Sequence, residues 1–150
     1  MEDRVHMIDV GAKPDSERES VARGSIRMQP STVSLLRSSG LPKGDALAAA
    51  QVAGILAAKK TPDLIPMCHP LALTEVKVEF HLDEENGTVE ISSRVKTVGK
   101  TGVEMEALTA VAVSALTIYD MCKGVDRGMR IENIRLARKS GGKSGEVVFE

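Results

Sequence analysis

GKTGVEMEALTAVAVSALTIYDMCK, residues 99–123, is the longest stretch of clear helical character in this 150-residue chain. Ala, Leu, Met and Glu dominate its first half, and all favour helix. Thr101 or Gly102 can start the helix, with Glu104 near the positive N-terminal end. Leu108, Val111, Ala115, Ile118 and Cys122 recur at steps of three and four, which predicts a core face. Ala107, Ala110, Ser114 and Thr117 form a second stripe of small residues, where another backbone can approach. A third stripe holds Glu106, Thr109, Val113, Asp120 and Lys123. Its ends are charged, yet Glu106 and Asp120 lie about 21 Å apart at 1.5 Å per residue. One compact substrate group cannot touch both on one helix. Either the ends serve different purposes, or two copies of the chain meet there, or the charges are simply solvated.

Outward from this helix the chain alternates strands and helices. Upstream, Val76, Val78, Phe80 and Leu82 alternate with Glu75, Lys77, Glu79 and His81, a half-buried strand. Asn86–Gly87 turns it into a second strand carrying Val89, Ile91, Ser93 and Val95. Before that hairpin, Asp45 is an N-cap for a helix from Ala46 to about Lys60, buried by Val52, Ile55 and Leu56, while Ala49, Ala53 and Ala57 with Gly54 allow close packing. TPDLIPMCHP, residues 61–70, is a proline-punctuated, non-helical loop holding Cys68 and His69. Earlier still, Ala22, Gly24, Ile26 and Met28 alternate with Val21, Arg23, Ser25 and Arg27 as a strand, and Ser31 caps a short helix through Leu36. Residues 1–17 read as weakly ordered. Downstream, Ile131, Ile134 and Leu136 suggest another strand, Lys139–Gly145 a Gly/Ser loop, and Val147–Phe149 a last short strand. The order β, α in two pieces, β, β, α, β predicts the ferredoxin-like α+β arrangement, an antiparallel sheet with helices packed on one face. No repeat or linker divides residues 1–150, so a single domain is expected.

Composition narrows the chemistry. With no Trp, one Tyr and two Phe, the core must be built from aliphatic residues. The net charge of −1 and the missing stacking aromatics argue against nucleic acid. Two cysteines make no disulfide scaffold. Met1 is followed at once by Glu2, Asp3 and Arg4, and no apolar run reaches the roughly 20 residues of a membrane span. A cytoplasmic protein with no membrane partner is expected.

Cys68–His69 admits three readings: a structural pair, a positioned imidazole for proton transfer or phosphate binding, or part of a metal set with Cys122. Lys43 precedes a helix start, and Lys139 and Lys143 flank glycines, a pattern suited to phosphate. KSGGKSG lacks the spacing of a P-loop. Asp120 and Lys123 meet at i,i+3, where a lysine can be tuned for acid/base work or be merely solvated. Together these residues describe a polyanion site with several proton-transfer groups.

KGDALAAAQVAGILAAKKTPDLIPMCHPLALTEVKVEF, KTGVEMEALTAVAVSALTIYDMCK and KSGGKSGE resemble the cyclic pyranopterin monophosphate synthase family, the MoaC-type accessory proteins of molybdenum cofactor (molybdopterin) biosynthesis. The likeness runs from about Asp9 to the C-terminus. It implies a lyase that rearranges (8S)-3',8-cyclo-7,8-dihydroguanosine 5'-triphosphate, a GTP-derived cyclic nucleotide, to cyclic pyranopterin monophosphate, releasing pyrophosphate. It implies a radical-SAM GTP cyclase as functional partner and a homohexamer, a trimer of dimers, with sites between subunits. By motif position, Lys43 and Lys123 would be catalytic lysines and Asp120 would orient Lys123. Cys68, His69, Glu104, Met105 and Glu106 would line the substrate pocket, and Arg18 and Lys139 would hold phosphates. Ser20 stands where the family's R-x-A-x-A-x-G pattern has its first Ala. No metal or other cofactor is implied; magnesium with the triphosphate is an alternative the residues leave open. The competing readings are a phosphate-binding module without chemistry and a metal-binding or structural oligomer built on Cys68, His69 and Cys122.

Overall fold

The hairpin forms where the alternation is cleanest. β2 (Leu73–Asp83) and β3 (Thr88–Gly99) pair antiparallel around a turn in which Asp83 accepts the Asn86 N–H at 3.1 Å. The computed structural model describes residues 4–150, and around this hairpin it sets β1 (Ser16–Arg27), β4 (Arg130–Ser140) and β5 (Val147–Val148). Every pairing is antiparallel and the strand order is β2-β3-β1-β4-β5. The long helix, here α4 (Glu104–Cys122), lies across β1, β3 and β4, and α2 (Ala46–Lys59) packs beside it and over β2. α1 (Pro30–Ser38) and the one-turn α3 (Thr61–Leu64) complete the helical layer. The α+β sheet with helices on one face is therefore as expected.

The strands show why only one face is covered. On β3, Val89, Ile91, Ser93 and Val95 are buried, while the intervening Glu90, Ser92, Arg94 and Lys96 look outward. On the covered side, Ile26, Ile91, Val111 and Ile118 are fully buried, each contributing about 1.5–3 kcal/mol. Two buried hydroxyls tie α4 to its neighbours, one to the sheet and one to α2. Ser93 Oγ donates to Ala107 O at 2.7 Å, and Ser114 Oγ donates to Ala50 O at 2.9 Å.

Several local expectations are corrected. α4 starts at Glu104 with Val103 at its N-cap, because β3 extends through Gly99 and a short loop intervenes. Ser31 does not cap α1. Pro30 opens that helix, and the Asp126 carboxylate accepts both the Gln29 N–H and the Thr32 hydroxyl, each at 2.8 Å. The 61–70 loop begins with the helical turn α3. The largest correction concerns α2. Val52 and Leu56, expected in the core, are 58% and 49% exposed, while Ala46, Ala50, Gly54, Ala57 and Ala58 are buried. α2 approaches α4 so closely that a Cβ on Gly54 would collide with Ser114 Oγ and lie 3.0 Å from Ala110 O. Only small residues fit that contact. Asp45 caps α2 as expected, accepting the Ala48 N–H at 3.0 Å. By length and composition alone α4 could cross a membrane, a test that the core helix of a soluble protein also passes. Here its apolar faces are filled by α2 and three strands.

The region read as weakly ordered divides into three. Residues 1–3 lie outside the described residues. Residues 4–15 form neither helix nor strand, and Ser16 and Glu17 belong to β1.

Candidate functional site

α4 distributes the candidate residues between its two ends. At its C-terminal end Asp120 stands between two lysines. Lys43, from the loop before α2, reaches Asp120 Oδ2 at 2.9 Å, and Lys123 reaches Oδ1 at 3.1 Å. The hydrogen bond from Lys43, then that from Lys123, holds the Asp120 carboxyl below its ordinary value. Asp120 is therefore a carboxylate at neutral pH, paired with both ammonium groups. All three side chains are about half exposed, open to whatever approaches this end of the helix.

At the N-terminal end, Glu106 is 1% exposed, an unusual position for a carboxyl in the first turn. The Cys68 thiol donates to its Oε2 at 3.7 Å, and the buried Oε1 has no partner. Burial pushes the Glu106 carboxyl up, and burial together with the Glu106 charge pushes the Cys68 thiol up to about 11. Cys68 is thus a protonated hydrogen-bond donor rather than a nucleophile. His69 faces elsewhere: its Nε2 lies 2.5 Å from Ile8 O. A carbonyl only accepts, so Nε2 carries the proton. The thiol is not bonded to the imidazole; its contact with His69 is to the backbone carbonyl, at 3.8 Å.

Beside this cluster lies a cavity of about 500 Å³ whose lining includes Lys13, Arg18, Glu104, Lys139, Gly141, Gly142 and Lys143. Lys139 sits at the end of β4, with its Nζ 3.7 Å from Glu104. Arg18 is clamped from below: its Nε donates to Gly99 O at 3.0 Å and its Nη2 to Lys100 O at 3.3 Å. The glycines of the KSGGKSG segment close over it. Gly142, at φ +68°, leaves no Cβ where one would strike the Arg18 guanidinium. Four cations around one half-open cavity suit a polyphosphate. Met105 is exposed on the outer side of α4.

Two features escaped sequence reasoning. Gly141–Gly142 is a cradle for Arg18 rather than a free tail, a role to which the adjacent glycines were the available signal. Lys100 had none, because its partners, Lys13, Asp15 and Arg18, all lie on a distant segment. The metal alternative fares differently. Cys68 sits at the first turn of α4 and Cys122 ends that helix, so the two thiols cannot share an ion. Among the described residues no three His, Cys, Asp or Glu side chains group as a metal site requires.

A family model described as the MoaC family matches residues 7–142. The chain belongs to this family. It is 63% identical over 145 residues to the cyclic pyranopterin monophosphate synthase of Roseiflexus sp. (strain RS-1), covering 97% of this chain and 92% of that protein. The protein of the same name from Heliobacterium modesticaldum is 60% identical over 144 residues, 96% of this chain and 91% of its own. That from Parvibaculum lavamentivorans is 58% identical over 140 residues, 93% and 88% respectively. Within this MoaC chain, the residues singled out by motif form two clusters about 21 Å apart along one helix.

Proposed function

We propose that this chain is a cyclic pyranopterin monophosphate synthase, a lyase of molybdenum cofactor biosynthesis. Its substrate is 3',8-cyclo-7,8-dihydroguanosine 5'-triphosphate and its products are cyclic pyranopterin monophosphate and pyrophosphate. The observation that carries the reading is identity of 55–63% over nearly the whole chain to relatives of that name. The clusters suit the chemistry. Arg18 and Lys139, in the cationic cavity, bind the triphosphate. Cys68, His69, Glu104, Met105 and Glu106 bind the rest of the substrate. Lys43 and Lys123 move protons, oriented by Asp120.

The two clusters act together when two copies pair, one supplying its Glu106 end and the other its Asp120 end. Support comes from exposed apolar residues on the two long helices: Met105 and Leu116 on α4, Val52 and Leu56 on α2. A trimer of such dimers, one domain per chain, is the assembly we assign. A partner copy would also cover the apolar stripe and approach the unpartnered Glu106 Oε1. The substrate comes from a radical-SAM GTP cyclase, the setting is the cytoplasm, and the chain needs no cofactor of its own. Release of pyrophosphate from the prepared substrate, by the natural chain beside Lys123→Ala, tests the reading. Release with a pterin product by the natural chain alone supports it. Substrate binding without release by the natural chain overturns the enzyme, and equal release by both removes Lys123 from the chemistry.

A further inference from the structure

We infer that Lys100 is a positioning residue for the cationic cavity: it latches the segment before β1 so that Lys13 is held at the cavity wall. The inference rests on reading that cavity as the polyphosphate site.

Residues 8–15 cross the molecule without helix or strand, so no ladder holds them. They are pinned at two points with a turn between. At one end Ile8 O accepts from His69 Nε2 at 2.5 Å. In the middle the Gly11 N–H reaches Asp9 Oδ1 at 2.8 Å and the Lys13 N–H reaches Val10 O at 3.0 Å. At the other end Lys100 Nζ donates to Lys13 O at 2.9 Å and lies 3.8 Å from Asp15 Oδ1. Lys13 and Pro14 line the cavity; Lys100 does not.

Lys100 directly follows β3, at the end of a strand paired on both sides, so its backbone is a firm anchor. It acts on two cations at once. Its carbonyl accepts from Arg18 and its ammonium holds the Lys13 carbonyl. A charged donor on a backbone carbonyl is a stronger tie than a neutral one, and it replaces the ladder that this segment lacks. Without it, residues 9–15 sample many conformations, and each binding event must order them again.

The test is calorimetric binding of inorganic pyrophosphate, with steady-state kinetics on the triphosphate substrate, for full-length variants. Lys100→Ala is expected to weaken pyrophosphate binding roughly tenfold, the scale of one charge-assisted hydrogen bond. KM rises in parallel while kcat changes little, and Lys100→Arg restores most of the loss. Lys13→Ala has a similar effect. Lys13→Ala combined with Lys100→Ala binds no worse than Lys13→Ala alone, because the latch then has nothing to deliver. Additive losses would mean that Lys100 meets the phosphates itself, and an unchanged Lys100→Ala would remove its role; either overturns the inference. Lys139→Ala separates the two layers of the argument. If it leaves pyrophosphate binding intact, the polyphosphate reading falls and the latch with it. If it weakens binding while Lys100→Ala does not, only the latch falls.

Discussion

Asp120 shares its carboxylate between Lys43 and Lys123, and the exposure of all three keeps the ion pairs weak as a source of stability. The role proposed for it is therefore orientation of the two lysines. Asp120→Asn is expected to leave the thermal unfolding midpoint essentially unchanged and to slow pyrophosphate release by on the order of a hundredfold. A large fall in the midpoint, or an unaltered rate, would contradict that assignment. Glu106 behaves in the opposite way. Burial raises its carboxyl, so the folded chain holds a proton that the unfolded chain has already lost. Stability from this group is complete below the ordinary glutamate value and is lost as pH rises through the raised one. Glu106→Gln cannot titrate. The variant should gain on the natural chain as pH rises above the ordinary glutamate value of about 4.5, when unfolding midpoints are compared at each pH. A gap independent of pH would mean that Glu106 titrates normally.

The helices meet through small residues rather than large ones. Gly54 lies directly against Ser114 and the Ala110 carbonyl, and Ser114 spends its hydroxyl on Ala50 O. Gly54→Leu should therefore force α2 away from α4 and break that hydrogen bond, costing about 1–3 kcal/mol in denaturant unfolding. A neutral effect would show that the contact is loose. Intimacy here is also what turns Val52 and Leu56 outward, and with Leu116 they leave the helical layer with an apolar outer surface. β4 leads into the Gly141–Gly142 cradle and so carries Lys139 to the cavity beside Arg18.

Across the whole molecule the candidate groups stand at opposite ends of α4, and one copy cannot join them. A site shared between copies predicts complementation. His69→Ala and Lys123→Ala, each inactive alone, should on mixing after unfolding and reassembly recover about a quarter of natural activity. Half of the dimers are then mixed, and each mixed dimer holds one intact site of two. No recovery would mean that each copy carries a complete site. Pyrophosphate release by the mixture is the measurement.

Local chemistry sufficed for the elements. Alternation from Val76 to Val95 with Asn86–Gly87 between made the hairpin legible, and Asp45 marked the start of α2, because such signals depend on neighbours in the chain. The two-ended character of α4 was equally readable, since the rise of a helix sets the distance between Glu106 and Asp120. Orientation and burial were not. A stretch rich in Ala offers no strong periodicity, so only the approach of α4 decided which face of α2 is buried. The start of α1 is held by Asp126, a residue far along the chain, and the Cys68–Glu106 contact joins a loop to a helix. Lys100 meets its partners only because β3 ends beside the segment that precedes β1. Those pairings depend on separations through space, which the tertiary fold creates and no local pattern encodes.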